Sequence, residues 1–277
     1  MQSVKLIKSA DNPRFKALHK LAHSSRERKQ RGLSLLDGIH LVAAYRERIG
    51  QPEQVVVSRS GVDNAEIQAL IKALAPPEPL VLSDALFKQL STVETPTGVL
   101  AAVRTPRPHA MPAEIDVCIM LEDIQDPGNL GSVLRSAAAA GIERVFLSKH
   151  TVHAWSPRVL RAGMGAHFML RIHEQCDLLA LARRFKGRVI ATSHHAKTSI
   201  FDVDLTGNIA LIFGNEGAGL SRALANTAHQ VVAIPMPRKV ESLNMAAAAA
   251  VCLFERVRQL QSSVQPSAIS GQLEIRR

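Results

Sequence analysis

Short apolar segments alternate with polar turns along residues 1–105. Phe15, Leu18 and Leu21 recur at helical spacing behind a helix-start sequence at 9–13. A basic polar stretch, 24–32, then leads into 33–48, which we expect to hold a short strand or turn and then a helix. Further predicted strands are 54–58, 79–82 and 99–103, and further predicted helices are 65–74 and 83–90. The pattern predicts a small α/β unit.

From residue 115 to 260, near-continuous apolar runs alternate with helical patterns. The predicted strands are 117–121, 144–147, 168–172, 188–191, 209–213 and 230–234. The predicted helices run up to 140, near 157–161, over 178–185 and, rich in alanine, over 242–259. Apolar strands separated by helices indicate a parallel sheet that is covered on both faces. The fold class is therefore α/β, with a larger parallel-sheet domain behind the small unit.

A proline-rich linker, 106–114, separates the two units. Pro106, Pro108 and Pro112 fall within seven residues, which disfavours a helix or a paired strand. At the other end, residues 261–277 are polar and are expected to be a frayed tail. We therefore divide the chain into 1–105, the linker 106–114, 115–260 and the tail 261–277.

The charge of the chain predicts a polyanionic partner. The formal net charge is +10, and most of the excess lies in 5–31, where nine basic residues face only Asp11 and Glu27. Such a segment gains affinity for phosphates by releasing their counterions. The alternative is that these charges only form a solvated helix face. This alternative is weakened because the whole chain shares the excess of basic residues. Aromatic residues make up only 4% of the chain, which favours recognition of the backbone and shape of structured RNA over base stacking.

The remaining composition predicts a cytosolic protein without a metal site. No apolar run is long enough for a membrane span, and the N-terminus lacks an apolar signal core. Cys118, Cys176 and Cys252 are far apart and are expected to be reduced thiols. His194 and His195 are adjacent, so they cannot form a helical metal-binding pair.

The stretch 126–135 carries the most informative local chemistry. It follows the apolar segment 117–121 directly, begins Asp126-Pro127-Gly128-Asn129 and ends on Arg135. This order predicts a strand, a tight turn and a helix whose N-terminus suits an anionic or nucleotide ligand. Taken alone, it is equally consistent with an ordinary strand-to-helix loop.

Two further loops follow predicted strands, at the edge where open α/β sheets bind ligands. The first, 214–221, contains three glycines and Glu216 but matches neither a Walker A loop nor a dinucleotide fingerprint. The second runs from Ile234 to Ser242, a candidate helix N-cap, and Asn244 is expected to face the same helix N-terminus.

The alanine run 246–250 favours either tight internal packing or a subunit interface.

In this order, the three loops closely resemble the three motifs of the SpoU-type (TrmH-like) RNA 2′-O-ribose methyltransferases. The resemblance covers about 115–260 and rests on 126–135, 213–221, Ile234-Pro235-Met236 and Ser242-Leu243-Asn244. The segments 36–42 and 94–99 are also similar to that family's substrate-binding domain. The resemblance implies a cofactor, S-adenosylmethionine, a C-terminal trefoil knot and a homodimer that shares the site.

The resemblance also implies roles for particular residues. Arg135 and Asn129 would serve the reacting ribose and its phosphate, Glu216 would hold the second motif in shape, and Ser242 and Asn244 would complete the catalytic site. The residues implied at the cofactor are Gly214, Asn215, Gly217, Ile234, Met236 and Leu243, with Thr192 and Ser193 as further candidates at another strand end.

Five positions depart from the family's usual pattern. Arg238 stands where glycine is common, and Met245-Ala246 stand where a Val-Ser pair is common. Thr97 replaces a common glutamine and Asp37 a common glutamate. These differences leave the core motif residues intact but put the shape of the third loop and the choice of substrate in question.

The sequence therefore predicts methylation of a ribose 2′-hydroxyl in structured RNA, with ribosomal RNA favoured over transfer RNA and with no DNA or membrane partner. A guanidinium is effectively always protonated, so we expect Arg135 to clamp a phosphate and stabilise the incipient oxyanion rather than act as a base. The alternatives are a transfer RNA methyltransferase, a non-catalytic RNA-binding protein that retains the fold and an unrelated nucleotide-using α/β enzyme.

Overall fold

The computed structural model of the chain describes residues 6–74, 78–107, 110–238 and 242–264. Lys5, part of the linker and residues 265–277 of the predicted tail lie outside the described residues.

The front unit is a five-stranded mixed sheet with helices packed on it. Its strands lie in the order β1-β4-β3-β5-β2, with β4 parallel to β1 and β3, and β5 antiparallel to β3 and β2. The strands are β1 (Leu6–Ile7), β2 (Leu33–Asp37), β3 (Gln54–Ser58), β4 (Leu80–Leu82) and β5 (Val99–Arg104). The helices are α1 (Pro13–His23), α2 (Ser25–Arg31), α3 (Ile39–Arg48), α4 (Ala65–Ala73) and α5 (Asp84–Leu90), with a 3₁₀ turn at Ser60–Asp63.

The rear unit is a seven-stranded sheet, parallel throughout, in the order β10-β12-β9-β11-β6-β7-β8. Its strands are β6 (Val117–Leu121), β7 (Arg144–Ser148), β8 (Arg171–Cys176), β9 (Arg188–Thr192), β10 (Thr198–Ser199), β11 (Ile209–Phe213) and β12 (Gln230–Ala233). Its helices are α6 (Pro127–Ala139), α7 (Pro157–Gly163), α8 (Leu178–Arg184), α9 (Arg222–Ala225) and α10 (Met245–Val264), with 3₁₀ turns at Ala166–Met169 and Ile200–Asp202.

Burial on both faces of the rear sheet explains its apolar strands. Ile119 and Leu211 belong to one core cluster, while Cys118 and Ala210 belong to another on the opposite face. Successive side chains of a strand point to opposite faces, so a strand covered on both sides has no polar positions in its interior. The predicted parallel sheet is confirmed.

One predicted strand of the rear unit is misplaced. Phe168, placed in a strand 168–172, lies in a 3₁₀ turn, and β8 begins only at Arg171. β8 is an edge strand with β7 as its one neighbour in the sheet. An edge strand tolerates polar side chains, so His173 and Glu174 do not give β8 the apolar pattern of a buried strand. The turn before it is apolar, and the pattern therefore places the strand too early.

The basic stretch 24–32 forms the helix α2. The Ser24 hydroxyl caps it by accepting a hydrogen bond from the backbone N–H of Glu27 (3.2 Å), and Gly32 ends it in a left-handed conformation (φ 62°). Its Arg28 is buried and donates to the carbonyl of Leu21 (2.7 Å).

The pattern also does not predict the short elements β1, β10 and α9. The predicted tail starts too early, because α10 continues to Val264.

The two units share one core at their junction. Leu36, Val42 and Tyr45 from the front unit belong to the same buried cluster as Leu160 and much of the rear sheet. A hydrogen bond joins the units at the surface of this core, from Nη1 of Arg161 to the carbonyl of Asp37 (3.2 Å). The front unit is therefore held against α7 by packing as well as by the linker.

The cysteines are free, as predicted. Cys118 and Cys252 are buried, and burial raises the pKa of each thiol to about 12.

Within the described parts of the chain, no helix has the length and apolar character needed to cross a membrane. No three side chains of the usual metal-binding types lie close together in these parts. The trefoil knot stays a prediction from the family resemblance.

Gly131 allows α6 to pack closely on α7. A Cβ atom at this position would lie 2.7 Å from the carbonyl oxygen of Val159 and 2.9 Å from the backbone nitrogen of Gly163. We expect Gly131→Ala to lower the free energy of unfolding by about 1–3 kcal/mol, because backbone atoms of α7 must move. Urea denaturation measures this change. Ser132→Ala, on the exposed side of α6, is the matched control, and equal stabilities of the two variants would contradict the close packing.

Candidate active site

Three loops leave the same edge of the rear sheet. Leu121 at the end of β6 pairs in register with Phe213 at the end of β11, and Thr192 at the end of β9 pairs with Val232 of β12. Because the strands are parallel and adjacent, the loops that follow β6, β11 and β12 meet at their carboxyl ends. The three sequence motifs thus converge although about ninety residues separate the first from the second.

The first loop forms the predicted strand, turn and helix. An oxygen of Asp126 caps α6 by accepting a hydrogen bond from the backbone N–H of Asn129 (2.7 Å), and Pro127 is the first helical residue. Asn129 is half-buried and Arg135 is exposed. Among the described residues, the Arg135 guanidinium has no hydrogen-bond or salt-bridge partner, so its donors are available to a ligand.

The second loop is a tight, self-bonded turn. The backbones of Asn215 and Gly219 exchange two hydrogen bonds (3.0 and 2.9 Å), and the side-chain oxygen of Asn215 accepts from the backbone of Gly217 (2.9 Å). Gly214 has no room for a side chain, because a Cβ atom there would lie 2.5 Å from the carbonyl oxygen of Gly219. Asn215 and Gly217, predicted at the cofactor, therefore shape this loop.

The carboxylate of Glu216 connects the loops. It accepts hydrogen bonds from the backbone N–H groups of Gln125 and Asp126 (both 3.3 Å) and from the side-chain amide of Asn129 (3.2 Å). The side-chain oxygen Oδ1 of Asn129 in turn accepts from the side-chain amide of Asn244 (2.9 Å). A continuous chain, Glu216–Asn129–Asn244, thus spans all three motifs, and it determines which way each amide points.

Asn244, not Ser242, is the N-cap of α10. Its side-chain oxygen accepts from the backbone N–H groups of Ala246 (2.9 Å) and Ala247 (3.2 Å). Ser242 lies two positions earlier and is exposed. The sequence prediction was wrong on the cap because Ser and Asn are about equally good caps, and the choice depends on where the chain turns into the helix.

Two acidic residues that sequence reasoning missed position the loops. Glu122 accepts a hydrogen bond from the backbone N–H of Ser221 (2.7 Å). Asp123 adopts a left-handed conformation (φ 54°), accepts from the Ser148 hydroxyl (2.6 Å) and receives at its carbonyl the side-chain amide of Asn215 (2.8 Å). The available signal was an acidic pair directly after a buried strand, at the sheet edge that carries function.

An apolar groove lies beside the third loop. Its volume is about 410 Å³, and it is lined by Ile234, Pro235, Met236, Pro237, Arg238 and Leu243. Three predicted cofactor residues, Ile234, Met236 and Leu243, thus come together, and Leu243 exposes 40% of its surface. An apolar wall with backbone groups at strand ends fits the adenine ring of S-adenosylmethionine. Arg238, one of the departures from the family pattern, also lines the groove.

Thr192 and Ser193 lie at the end of β9, next to β12. The Thr192 hydroxyl donates to the carbonyl of Ile212 (3.1 Å), and the Ser193 backbone N–H donates to the carbonyl of Val232 (2.9 Å). Neither residue lines the groove. Both side chains stay predicted cofactor contacts, at the correct sheet edge.

Comparison with known proteins agrees with this architecture. A family model described as the SpoU rRNA Methylase family matches residues 116–254, and a model of the MRM3-like substrate binding domain matches residues 12–101. An uncharacterised tRNA/rRNA methyltransferase of Synechocystis is 36% identical, covering 94% of this chain and 96% of its own.

Two further proteins are similar along most of their length. The 23S rRNA (guanosine(2553)-2′-O)-methyltransferase RlmP of Bacillus subtilis is 29% identical and covers 91% of this chain and 98% of its own. The crystal structure of the SpoU methyltransferase AviRb from Streptomyces viridochromogenes, in complex with the cofactor AdoMet, superposes with a TM-score of 0.80 at 27% identity, covering 91% of this chain and 99% of that one.

The parallel sheet with three convergent loops, joined to a substrate-binding domain, is the architecture of an RNA methyltransferase. The chain belongs to the SpoU rRNA methylase family. It is an S-adenosylmethionine-dependent enzyme.

The two functions of Asn244 can be separated by substitution. Asn244→Asp keeps an oxygen that caps α10 but loses the amide donor to Asn129, whereas Asn244→Ala loses both. We expect Asn244→Ala to lower the free energy of unfolding by about 1 kcal/mol, and Asn244→Asp to change it by less. Methyl transfer should fall in both variants, because Asn129 loses its orienting partner. Denaturation and single-turnover assays measure the two effects. Full activity of Asn244→Asp would contradict the positioning role.

Proposed function

We propose that this protein transfers the methyl group of S-adenosylmethionine to a ribose 2′-hydroxyl of ribosomal RNA, acting in the cytoplasm as a homodimer. The chain of hydrogen bonds Glu216–Asn129–Asn244 carries the proposal, because it holds the N-terminus of α6 in the first motif beside the other two motif loops. The name of the relative RlmP states a 23S rRNA 2′-O activity, which supports this substrate. The alternative substrate is transfer RNA.

The chemistry requires alignment and charge stabilisation. When bound, S-adenosylmethionine supplies an electrophilic methyl group. Glu216 keeps the backbone of loop one and the amide of Asn129 in a fixed arrangement, so the ribose meets preorganised groups. A guanidinium is effectively always charged, and that of Arg135 has no partner among the described residues, which suits a clamp on the adjacent phosphate and stabilisation of the incipient alkoxide. The hydroxyl proton then leaves to phosphate or solvent.

The geometry of α6 supports a site shared between two copies. Six residues along a helix correspond to a rise of about 9 Å and a rotation of about 240°, so Arg135 and Asn129 do not point to one spot within a single chain. The neighbouring helix α10 leaves Phe254 48% exposed, although this side chain is large and apolar. A second copy packed on α6 and α10 would cover Phe254 and bring its own Arg135 to the mouth of the first.

Substitution of Arg135 tests the clamp. We expect Arg135→Lys to lower the single-turnover rate at saturating RNA by about 100-fold, because a point charge cannot form the two-pronged contact. Binding of S-adenosylmethionine, measured by calorimetry, should stay unchanged. Arg158→Lys, on the exposed surface of α7, is the matched control. A near-normal rate for Arg135→Lys would refute the planar clamp, and absence of S-adenosylmethionine binding to the wild type would refute the enzyme assignment.

The basic surface of α1 and α2 is the proposed RNA contact. Deleting residues 1–31 would not test it cleanly, because Phe15, Leu18 and Leu21 are buried in the front core. The triple variant Arg14→Gln, Lys20→Gln, Arg26→Gln changes exposed residues only. We expect weaker RNA binding and a salt dependence reduced by about two to three in slope, since each lost phosphate contact contributes about 0.7–0.9.

Filter binding at several salt concentrations measures this slope. The control replaces Arg183, Arg184 and Lys197 of the rear unit by glutamine, which removes the same charge elsewhere. An equal loss in both variants would show that only the net charge matters.

A further inference from the structure

A second cavity, of about 580 Å³, lies where α2, the end of α3, the linker and the edge strand β8 meet. This junction cavity is outside the three motif loops. Six of its lining residues carry the chemistry considered below: Lys29, Arg107, His153, Trp155, Phe168 and Glu174.

Aromatic rings form part of its wall. The ring of Phe168 packs edge-on against Tyr45 of the front unit, with centroids 5.4 Å apart, and Trp155 packs against His167 at 5.3 Å. His167 is itself held by a contact to the carbonyl of Ala154 (2.9 Å). These contacts hold the rings in place, so the cavity offers a preformed surface for a planar ligand.

A carboxylate lies among these rings. One oxygen of Glu174 accepts the backbone N–H of Ala154 (3.0 Å), and its side chain remains 24% exposed. The neighbouring His153 is 3.6 Å away, but burial lowers the pKa of its imidazole to about 4, so it is neutral at physiological pH. Glu174 therefore has spare acceptor capacity and no cationic partner in His153. Burial raises the pKa of the Glu174 carboxyl, whereas the Ala154 N–H and the charge of Lys29 favour its ionised form. In that ionised form the carboxylate accepts hydrogen bonds only, so it selects ligands with N–H or O–H donors.

Two cations stand at the rim. Lys29 and Arg107 line the cavity and are exposed, and neither forms a salt bridge within the described parts of the chain. Lys29 also belongs to the basic surface proposed to contact RNA. A phosphate at the rim and a base in the interior would satisfy the cations, the rings and the carboxylate together.

We propose that the junction cavity binds an unstacked guanine nucleotide of the substrate RNA, separate from the nucleotide that is methylated. Guanine presents two adjacent N–H donors, N1–H and N2–H, which match the two oxygens of Glu174. Adenine presents an acceptor at N1 and cytosine one at N3, which a carboxylate repels. Uracil offers a single donor between two carbonyls.

The cavity is connected to the active-site loops. Val152, next to His153, donates its backbone N–H to the carbonyl of Ile124 (2.8 Å), and the side chain of Gln125 donates to the carbonyl of His150 (2.6 Å). The loop that carries His153 and Trp155 is thus bonded to the loop held by Glu216. This inference rests on the proposed function, since it gives the RNA a second recognition point beside the reacting ribose.

Trp155 is the single tryptophan of the chain, so its fluorescence reports on the junction cavity directly. We expect GMP to change this fluorescence saturably in the whole 277-residue chain, with a Kd about tenfold lower than that of AMP. Glu174→Gln should weaken GMP binding about tenfold, because the amide keeps an acceptor for Ala154 but presents a donor to guanine. Arg107→Gln should weaken GMP and AMP alike. Glu114→Gln, an exposed carboxylate outside the cavity, is the matched control.

Two outcomes would overturn the proposal: no saturable change with GMP, or equal affinity for GMP and AMP in the wild type. The second comparison needs no variant, so it holds even if Glu174→Gln fails to fold. Calorimetry with S-adenosylmethionine and methyl-transfer assays on the same protein report on the proposed function independently. GMP binding without methyl transfer would contradict the proposed function and leave the cavity assignment intact.

Discussion

The carboxylate of Glu216 is the contact on which the candidate active site depends. It accepts hydrogen bonds from two backbone amides of the first loop and from the side-chain amide of Asn129. Asn129 in turn accepts a hydrogen bond from Asn244 at the start of α10. Glu216 and Asn244 are exposed and Asn129 is half-buried, so each hydrogen bond alone contributes little to stability. Their value lies in preorganisation, because a hydroxyl can be aligned with a methyl donor only if the loops keep one arrangement.

The junction between the units gives the site its context. Arg161 of α7 binds the backbone of Asp37, and α7 packs closely on α6 where Gly131 leaves room. The helix that carries Asn129 and Arg135 is therefore connected through one layer of packing to the front unit and its basic helices. A substrate bound by the front unit would meet the catalytic loops in a fixed relation, and the junction cavity lies along that path.

Much of the fold was predictable because its strands are buried on both faces. Residues 54–58, 117–121 and 209–213 form strands with the predicted bounds, since uninterrupted apolar runs leave no alternative register. Prediction failed where local polarity misled. The pattern places a strand on the apolar turn that precedes the polar edge strand β8. It does not predict the charged helix α2, because the buried residue of that helix is Arg28.

The amino-acid sequence by itself determined the α/β class, the basic character of the front unit and the three motif loops, because periodicity, net charge and turn residues are local properties. It also determined the family, through the order of those loops. Only the tertiary structure decided that Asn244 caps α10 in place of Ser242, that Asp123 and Glu122 hold the loops, and that the side chains of Asn129 and Asn244 meet. The contacts of Glu122, Asp123 and Asn129 join residues about 90 to 115 positions apart, so strand order and packing place them, and the cap depends on where the chain turns into α10.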